Sequence, residues 1–210
     1  MPALPSLASL YKLVGTAITA MAFTERLQTY AQKFKGIPDS KTPDRNPVKS
    51  IAISTLLSFV GMLVVASVDH HGGEVQAVIG SFGASAVLIY TEAITSPLAQ
   101  ARNLIGGHLC GAFAGVTVYK VFKLLNALRY LWVASALSVS FAIALQELTR
   151  TVHPPGGATA FIFVAGSKTL HDLGYLYMIY PVGLGAVLLL CVAVLGNNLV
   201  DGRQYPMRWW

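Results

Sequence analysis

The feature that most constrains the fold is a set of long stretches without charged residues. Residues 50–68, 103–119, 130–146 and 173–200 contain no Asp, Glu, Lys or Arg, and each is long enough to cross a bilayer as a helix. Charged residues make up 11% of the chain, against about 25% in soluble domains. Because this is too little charge to cover a soluble surface, the sequence predicts an integral membrane protein.

Two further apolar segments are shorter and contain glycines. One covers residues 75–91, and the other runs from His153 to about Ser167, opening with His-Pro-Pro-Gly-Gly. Prolines prevent a helix from entering this point, and glycines allow a close approach of the backbone. Irregular backbone between membrane segments is tolerated only where it is buried in protein or lines a cavity. The His-Pro-Pro stretch is therefore the leading site candidate, followed by a short helix predicted over residues 158–165.

The six segments form two successive sets of three, each in the order long, short, long, which indicates an internal duplication. Two pairs of motifs match at a constant offset of 74 residues: Gly83-Ala84-Ser85-Ala86 with Gly157-Ala158-Thr159-Ala160, and Gly111-Ala112 with Gly185-Ala186. We predict repeat 1 over about 50–123 and repeat 2 over about 124–200.

The basic residues favour short segments that enter the membrane and return. Cytosolic loops carry an excess of Lys and Arg. If all six segments cross, Lys120, Lys123 and Arg129 lie opposite the N-terminal side; if the short ones return, these residues share that side with Arg203 and Arg208. We therefore predict an all-α membrane protein with four transmembrane helices plus two short re-entrant or half-helix segments, in two tandem, parallel repeats.

The regions outside residues 50–200, the predicted transmembrane domain, are more polar. Residues 1–49 begin with apolar residues at helical spacing and continue as a basic, proline-containing linker. An amphipathic helix on the membrane surface and a remnant of an organelle transit peptide both fit the first part. Residues 201–210 form a basic aromatic tail, which is typical of an interfacial anchor.

The candidate binding site lies around the two short segments. A helix N-terminus carries about half a positive charge and several unpaired N–H donors, so it can hold a small anion together with nearby hydroxyls. The alternative role for the same small residues is close helix packing. His108 lies inside a span, where ionisable groups are often functional. The predicted substrate-binding residues are Ser81, Gly83, Ala84, Ser85, Arg102, Asn103, His108, His153, Gly156, Gly157, Ala158 and Thr159.

Signatures of catalysis are absent, so we predict no enzyme, no catalytic residue and no cofactor. The sequence contains no G-x-S-x-G, no H-E-x-x-H and no P-loop. His70, His71 and Glu74 have metal-ligand chemistry, but adjacent histidines point in different directions, and no metal site is predicted. The net charge of +6 fits contact with anionic lipid, whereas no basic stripe with interleaved aromatic residues predicts nucleic-acid binding.

A combination of motifs resembles the HPP family of integral membrane proteins. The resemblance is carried by His153-Pro154-Pro155, Gly83-Ala84-Ser85-Ala86, Ser96-Pro97-Leu98-Ala99-Gln100 followed by Arg102-Asn103, Gly106-Gly107-His108, and Asn197-Asn198 before a basic tail. It covers about residues 45–206 and implies four transmembrane helices. Plastid and cyanobacterial members of that family are associated with nitrite transport, so the resemblance implies nitrite as the substrate.

We therefore predict a transporter for a small inorganic anion, in a bacterial or cyanobacterial plasma membrane or a plastid envelope. The expected partners are membrane lipid, the anion and further copies of the chain in a homo-oligomer. Proton cotransport through His153 or His108 would offset the cost of anion uptake, about 2.3 kcal/mol per 100 mV of inside-negative potential. Two alternatives stay open: a passive channel for anions or small neutral solutes, and a membrane-embedded enzyme or assembly subunit that uses His153.

Overall fold

The computed structural model describes residues 23–34, 44–72 and 79–209, with the backbone alone at residues 69, 71, 72 and 79. The chain divides into two compact units, Met1–Arg45 and Asn46–Trp210. In the first unit, helix α1 covers residues 23–33. The amphipathic helix predicted near the N-terminus lies outside the described residues.

The second unit is helical throughout its described part, with no strand there. Short 3₁₀ turns and one π-helical turn connect the helices. The α-helices are α2 (Val48–Gly72), α3 (Ile79–Tyr90), α4 (Ala101–Leu124), α5 (Leu131–Thr149), α6 (Pro154–Ala165), α7 (Lys168–Leu173) and α8 (Leu184–Asn198).

Four helical stretches are long and apolar enough to cross a membrane: Val48–Val68, Ala101–Leu124, Leu128–Thr149 and Lys168–Asn198. The two shorter apolar helices, α3 and α6, have 12 residues each. A helix of that length rises about 18 Å, roughly half of a hydrocarbon core about 30 Å thick. The predicted all-α class, with four long helices and two half-helices, is confirmed.

Helix α6 begins at Pro154, earlier than the predicted start at Ala158. The two prolines occupy the first turn, where the N–H that proline lacks would have no partner inside the helix. His153 is the N-cap and has an extended backbone, which is the conformation preferred before a proline. The prolines therefore start α6 and also separate it from α5.

Contacts of Arg203 show which helix ends meet at one end of the bundle, here called the Arg203 end. Arg203 follows α8 and donates to the hydroxyls of Ser50 and Ser54 in the first two turns of α2, at 2.9 and 3.0 Å. It also forms an ion pair of 2.8 Å with Glu92, just after α3. The hydrogen bond from Ser50 and the bond from Arg203 hold the pKa of Glu92 below its usual range. Helix α2 therefore begins at the end where α3 and α8 finish.

Helix α4 also begins at the Arg203 end, because its N-cap Gln100 accepts a hydrogen bond from the N–H of Met207 at 2.8 Å. Helix α5 finishes there, since Arg102 donates to the Thr149 carbonyl at 2.7 Å. At the opposite end, Lys120 near the end of α4 lies 4.3 Å from the ring centroid of Tyr175, in the segment that precedes α8.

These contacts correct the predicted path of the short segments. Helix α3 does not return to the end at which α2 finishes, so the main segments pass through the bundle in alternating directions. Lys120, Lys123 and Arg129 consequently lie opposite Arg203 and Arg208, and the prediction that all five share one side is wrong. The two halves run in opposite directions, as inverted repeats do, instead of in parallel. The loops contain too few charged residues to determine the direction of each segment, and the packing of the helices determines it instead.

Small residues bring α4 and α6 into direct backbone contact. Gly107, Gly111 and Gly115 recur every four residues on one face of α4. A Cβ atom added to Gly111 would collide with the carbonyl oxygen of Gly156, and one added to Gly115 would lie 2.7 Å from the Ala160 carbonyl oxygen. Close approach through glycine is a common way of packing membrane helices. This contact places the start of α6 against the middle of α4.

Candidate functional site

Four polar side chains meet in the interior of the bundle, and we call them the Ser–His cluster. Ser85 comes from α3, His108 from α4 and Thr159 from α6, while His153 is the residue before α6. All four are fully buried. Polar groups inside a membrane protein are energetically expensive, and they usually mark sites or pathways when they are retained.

The Ser85 hydroxyl is the centre of the cluster. Its Oγ lies 2.8 Å from Nε2 of His108 and 2.8 Å from Nε2 of His153. On the far side of its ring, Nδ1 of His108 lies 2.8 Å from Oγ1 of Thr159. Nδ1 of His153 lies 2.8 Å from the carbonyl oxygen of Leu98. One continuous chain of hydrogen bonds therefore joins three helices.

The Leu98 carbonyl sets the direction of this chain, because a carbonyl only accepts. Neutral His153 must carry its proton on Nδ1, so its Nε2 accepts from the Ser85 hydroxyl. Ser85 Oγ in turn accepts from Nε2–H of His108, and Nδ1 of His108 accepts from the Thr159 hydroxyl. Every donor in this neutral arrangement has an acceptor.

The same chain can hold one additional proton. If His153 is protonated on both nitrogens, it donates to Ser85, and Ser85 then donates to His108. His108 now carries its proton on Nδ1 instead of Nε2, so it donates to Thr159, whose hydroxyl turns to the carbonyl oxygen of Pro155, 3.3 Å away. Each donor again has an acceptor, so protonation of the cluster leaves no buried donor without a hydrogen-bond partner.

Two residues that sequence reasoning missed hold the cluster in place. Gln146 on α5 accepts from the N–H of His153 at 2.8 Å and donates to the Gly107 carbonyl at 3.4 Å. The Tyr177 hydroxyl donates to the Thr159 carbonyl at 3.2 Å. Gln146 is a buried amide at the end of a predicted span, and that position is the signal that could have identified it.

The structure brings together four of the predicted site residues, two of which are related by the predicted internal repeat. Ser85 and Thr159 are equivalent at the offset of 74 residues, and they bind the two ring nitrogens of His108 from opposite sides. Ser81 is also buried, and its carbonyl lies 3.4 Å from the Ser85 hydroxyl.

The predicted amide donors of α6 have a different role from the one expected. Because the helix begins with two prolines, Gly156 has the only N–H among its first three positions, and it donates to the His153 carbonyl at 2.9 Å. Gly157, Ala158 and Thr159 lie beyond these positions, where N–H groups bond within the helix. The Thr159 hydroxyl is thus the polar group that α6 contributes to the cluster.

The small residues of the predicted site divide into packed and open positions. A Cβ atom on Gly156 would collide with the Gly107 carbonyl, whereas one on Gly157 would meet only Val139 at 3.6 Å. At Gly83 nothing lies within 4 Å. The repeat-equivalent Ala84 and Ala158 are both exposed.

Arg102 and Asn103 lie away from the cluster, at the Arg203 end of the bundle. Asn103 donates to the Val152 carbonyl at 2.9 Å, and Arg102 contacts the end of α5 as described above. Both line a cavity of about 240 Å³, which we call the arginine pocket. Its other lining residues are Gln100, Arg150, Arg208 and Trp209.

Metal-ligand chemistry is sparse in the part of the chain that the structure describes. No group of three or more His, Cys, Asp or Glu side chains there is arranged to hold a metal ion. Glu74, one of the three residues weighed for a metal site, lies outside the described residues.

Comparison with known proteins places this arrangement in a family. Residues 43–206 match the model of the transmembrane region of HPP proteins. Two transmembrane proteins of Dictyostelium discoideum are 39% and 40% identical over 184 residues, which is 86% of this chain. The match covers 63% and 57% of those relatives, so the chain spans less than two thirds of their length. No solved structure matches the chain. The chain therefore belongs to the HPP family of integral membrane proteins.

Proposed function

We propose that this protein transports a small inorganic anion across the membrane without changing it chemically, and that nitrite is the substrate. The observation that carries the proposal is the Ser–His cluster, a fully buried set of hydroxyls and imidazoles where α3 and α6 meet α4. Buried polar groups of this kind mark substrate or ion pathways in membrane proteins. Discontinuous helices at mid-membrane are a common setting for such sites in transporters.

The chemistry of the cluster favours an anion over a cation. Helices α3, α4 and α6 contain no Asp or Glu, so the cluster offers hydroxyl and imidazole donors without a competing carboxylate. A nitrite ion has acceptor atoms only, and it can take hydrogen bonds from Ser85 and Thr159 once these hydroxyls turn away from His153 and His108. Because these side chains are buried, the anion reaches them only when α3 or α6 moves relative to α4.

We propose further that a proton accompanies the anion. The cluster accommodates one additional proton because its hydroxyls can reverse and His108 can change tautomer, and a proton beside the anion cancels the charge that must enter the membrane. Cotransport also offsets the uptake cost of about 2.3 kcal/mol per 100 mV. In this scheme His153 receives the proton on Nε2, because its Nδ1 already donates to Leu98, and the Ser85 hydroxyl that donates to Nε2 in the neutral cluster then turns to His108.

The oligomeric state and the cellular membrane are the remaining parts of the proposal. Four long helices enclose little on their own, so we propose a homo-oligomer. The resemblance behind the nitrite assignment points to a bacterial or cyanobacterial plasma membrane or a plastid envelope. The two curated relatives come from Dictyostelium discoideum, so the membrane in which this chain works stays a prediction.

Nitrite uptake into proteoliposomes tests the proposal. We expect vesicles with the native protein to take up nitrite faster than protein-free vesicles, with saturation, and nitrate and formate to compete to different extents. With the membrane potential clamped, an inward proton gradient should drive accumulation above equilibrium. Folded protein that moves no nitrite would contradict the transporter assignment. Equal uptake with and without the proton gradient would contradict coupling alone.

A further inference from the structure

We infer that the arginine pocket is a second anion-binding site, a vestibule that collects the small anion before it enters the bundle. Its role in transport rests on the proposed function, whereas its ability to bind an anion does not. The site is separate from the Ser–His cluster, and it combines residues from three distant parts of the sequence.

Three arginines from separate segments line the pocket. Arg102 comes from the first turn of α4, Arg150 from the C-cap of α5 and Arg208 from the tail. Buried Gln100 holds the tail, because its Oε1 accepts from the N–H of Met207 at 2.8 Å and from that of Arg208 at 3.4 Å. Defined contacts therefore hold the Arg102 side chain and the backbone of the tail at Arg208.

None of the pocket arginines forms an ion pair with a carboxylate in the part of the chain that the structure describes. In the described residues the ion pairs are Lys168 with Asp172 and Arg203 with Glu92, and neither pair includes a pocket arginine. The lining residues are three arginines, two amides and a tryptophan. Arg102 donates to a neutral carbonyl, which leaves its charge in place. Like charges that share a pocket repel each other, and a bound anion relieves that repulsion.

The backbone at Arg150 supports a role for its side chain. Arg150 ends α5 with φ of 56°, in the left-handed region. This C-cap conformation favours glycine and costs other residues about 1–2 kcal/mol. No local backbone requirement calls for arginine here, so the charge it delivers to the pocket accounts for its presence better than the turn does.

The pocket is also continuous with the cluster along the chain. Asn103 lines the pocket and binds the carbonyl of Val152, the residue directly before His153. An anion held by the arginines is therefore adjacent to the segment that carries His153. Fixed positive charge at a channel mouth raises the local concentration of anions.

Trp209 lines the pocket and provides a direct optical probe of anion binding. The chain has three tryptophans, so Trp132→Phe and Trp210→Phe leave Trp209 as the reporter. In detergent, we expect iodide to quench its fluorescence efficiently, and Arg150→Gly or Arg208→Gln to lower the iodide quenching constant by about threefold or more. Quenching by neutral acrylamide should stay the same, and added nitrite should weaken quenching by iodide.

The matched control is Arg129→Gln, which removes the same charge at the opposite end of the bundle. Arg150→Gly also separates loss of charge from loss of folding. Glycine suits the left-handed backbone, so this variant should be at least as heat-stable as the native protein. Iodide quenching that is equal in native, Arg150→Gly and Arg208→Gln proteins would overturn the inference. So would quenching that is lost in phosphatidylglycerol nanodiscs but kept in phosphatidylcholine nanodiscs, since the occupant would then be the headgroup of an anionic lipid. Arginine-dependent quenching in a protein that moves no nitrite would support the site and contradict the transporter proposal.

Discussion

Replacing Gly156 by alanine is expected to destabilise the protein by about 3 kcal/mol, at the upper end of overpacking costs. The added methyl group would collide with the backbone carbonyl of Gly107, which belongs to α4 and cannot turn away as a side chain can. Because α4 and α6 touch through their backbones, they would have to separate. We expect the thermal midpoint in detergent to fall by on the order of 5–10 °C.

The neighbouring glycine is the matched control for this substitution. Gly157→Ala places its methyl group 3.6 Å from Val139, which is an ordinary contact. Alanine is also the better helix former by about 1 kcal/mol, so this variant should be as stable as the native protein or more so. Two variants with equal melting temperatures would show that the α4–α6 contact is looser than the structure indicates.

Removing the Ser85 hydroxyl is expected to reduce nitrite uptake by about tenfold or more, which corresponds to about 1.4 kcal/mol or more in the barrier. In Ser85→Ala, Nε2 of His153 loses its donor and Nε2 of His108 loses its acceptor. Each buried group without a partner costs about 1–3 kcal/mol, so the midpoint of thermal unfolding should fall as well. Uptake is measured per folded protein, with folding checked by size-exclusion chromatography.

Ser140→Ala serves as the control for this loss of a hydroxyl. Ser140 is exposed on α5, and its hydroxyl only donates to the Ala136 carbonyl of the same helix at 3.1 Å. Its removal should change neither stability nor uptake measurably. If Ser85→Ala transports nitrite as fast as Ser140→Ala, the cluster is a structural element and the pathway lies elsewhere.

Much of the architecture could be predicted from the sequence, because the bilayer imposes simple rules. Uncharged stretches of sufficient length predicted the four long helices, and the glycines and prolines marked the two short ones. The offset of 74 residues paired Ser85 with Thr159 before any contact was known, and the structure places both on His108. Hydroxyls that recur at equivalent positions were therefore an informative signal.

The directions of the helices and the arginine pocket depend on contacts between distant segments. Arg203 and Glu92 are separated by 111 residues, and their ion pair helps to show where α3 ends. The sequence predicts a loop around Arg150 and a tail around Arg208. No local pattern predicts that either residue lies near Arg102. The sequence predicts too late a start for α6 because prolines break helices, although they also suit a first helical turn.

The most direct test of the central claim, that the Ser–His cluster lies on the anion pathway, compares two substitutions at Thr159. Thr159→Val keeps the shape of the side chain and removes the hydroxyl that bonds Nδ1 of His108, whereas Thr159→Ser keeps the hydroxyl. In proteoliposomes, we predict that the valine variant takes up nitrite about tenfold more slowly or worse, while the serine variant stays close to native. Native uptake by a folded valine variant would contradict the account.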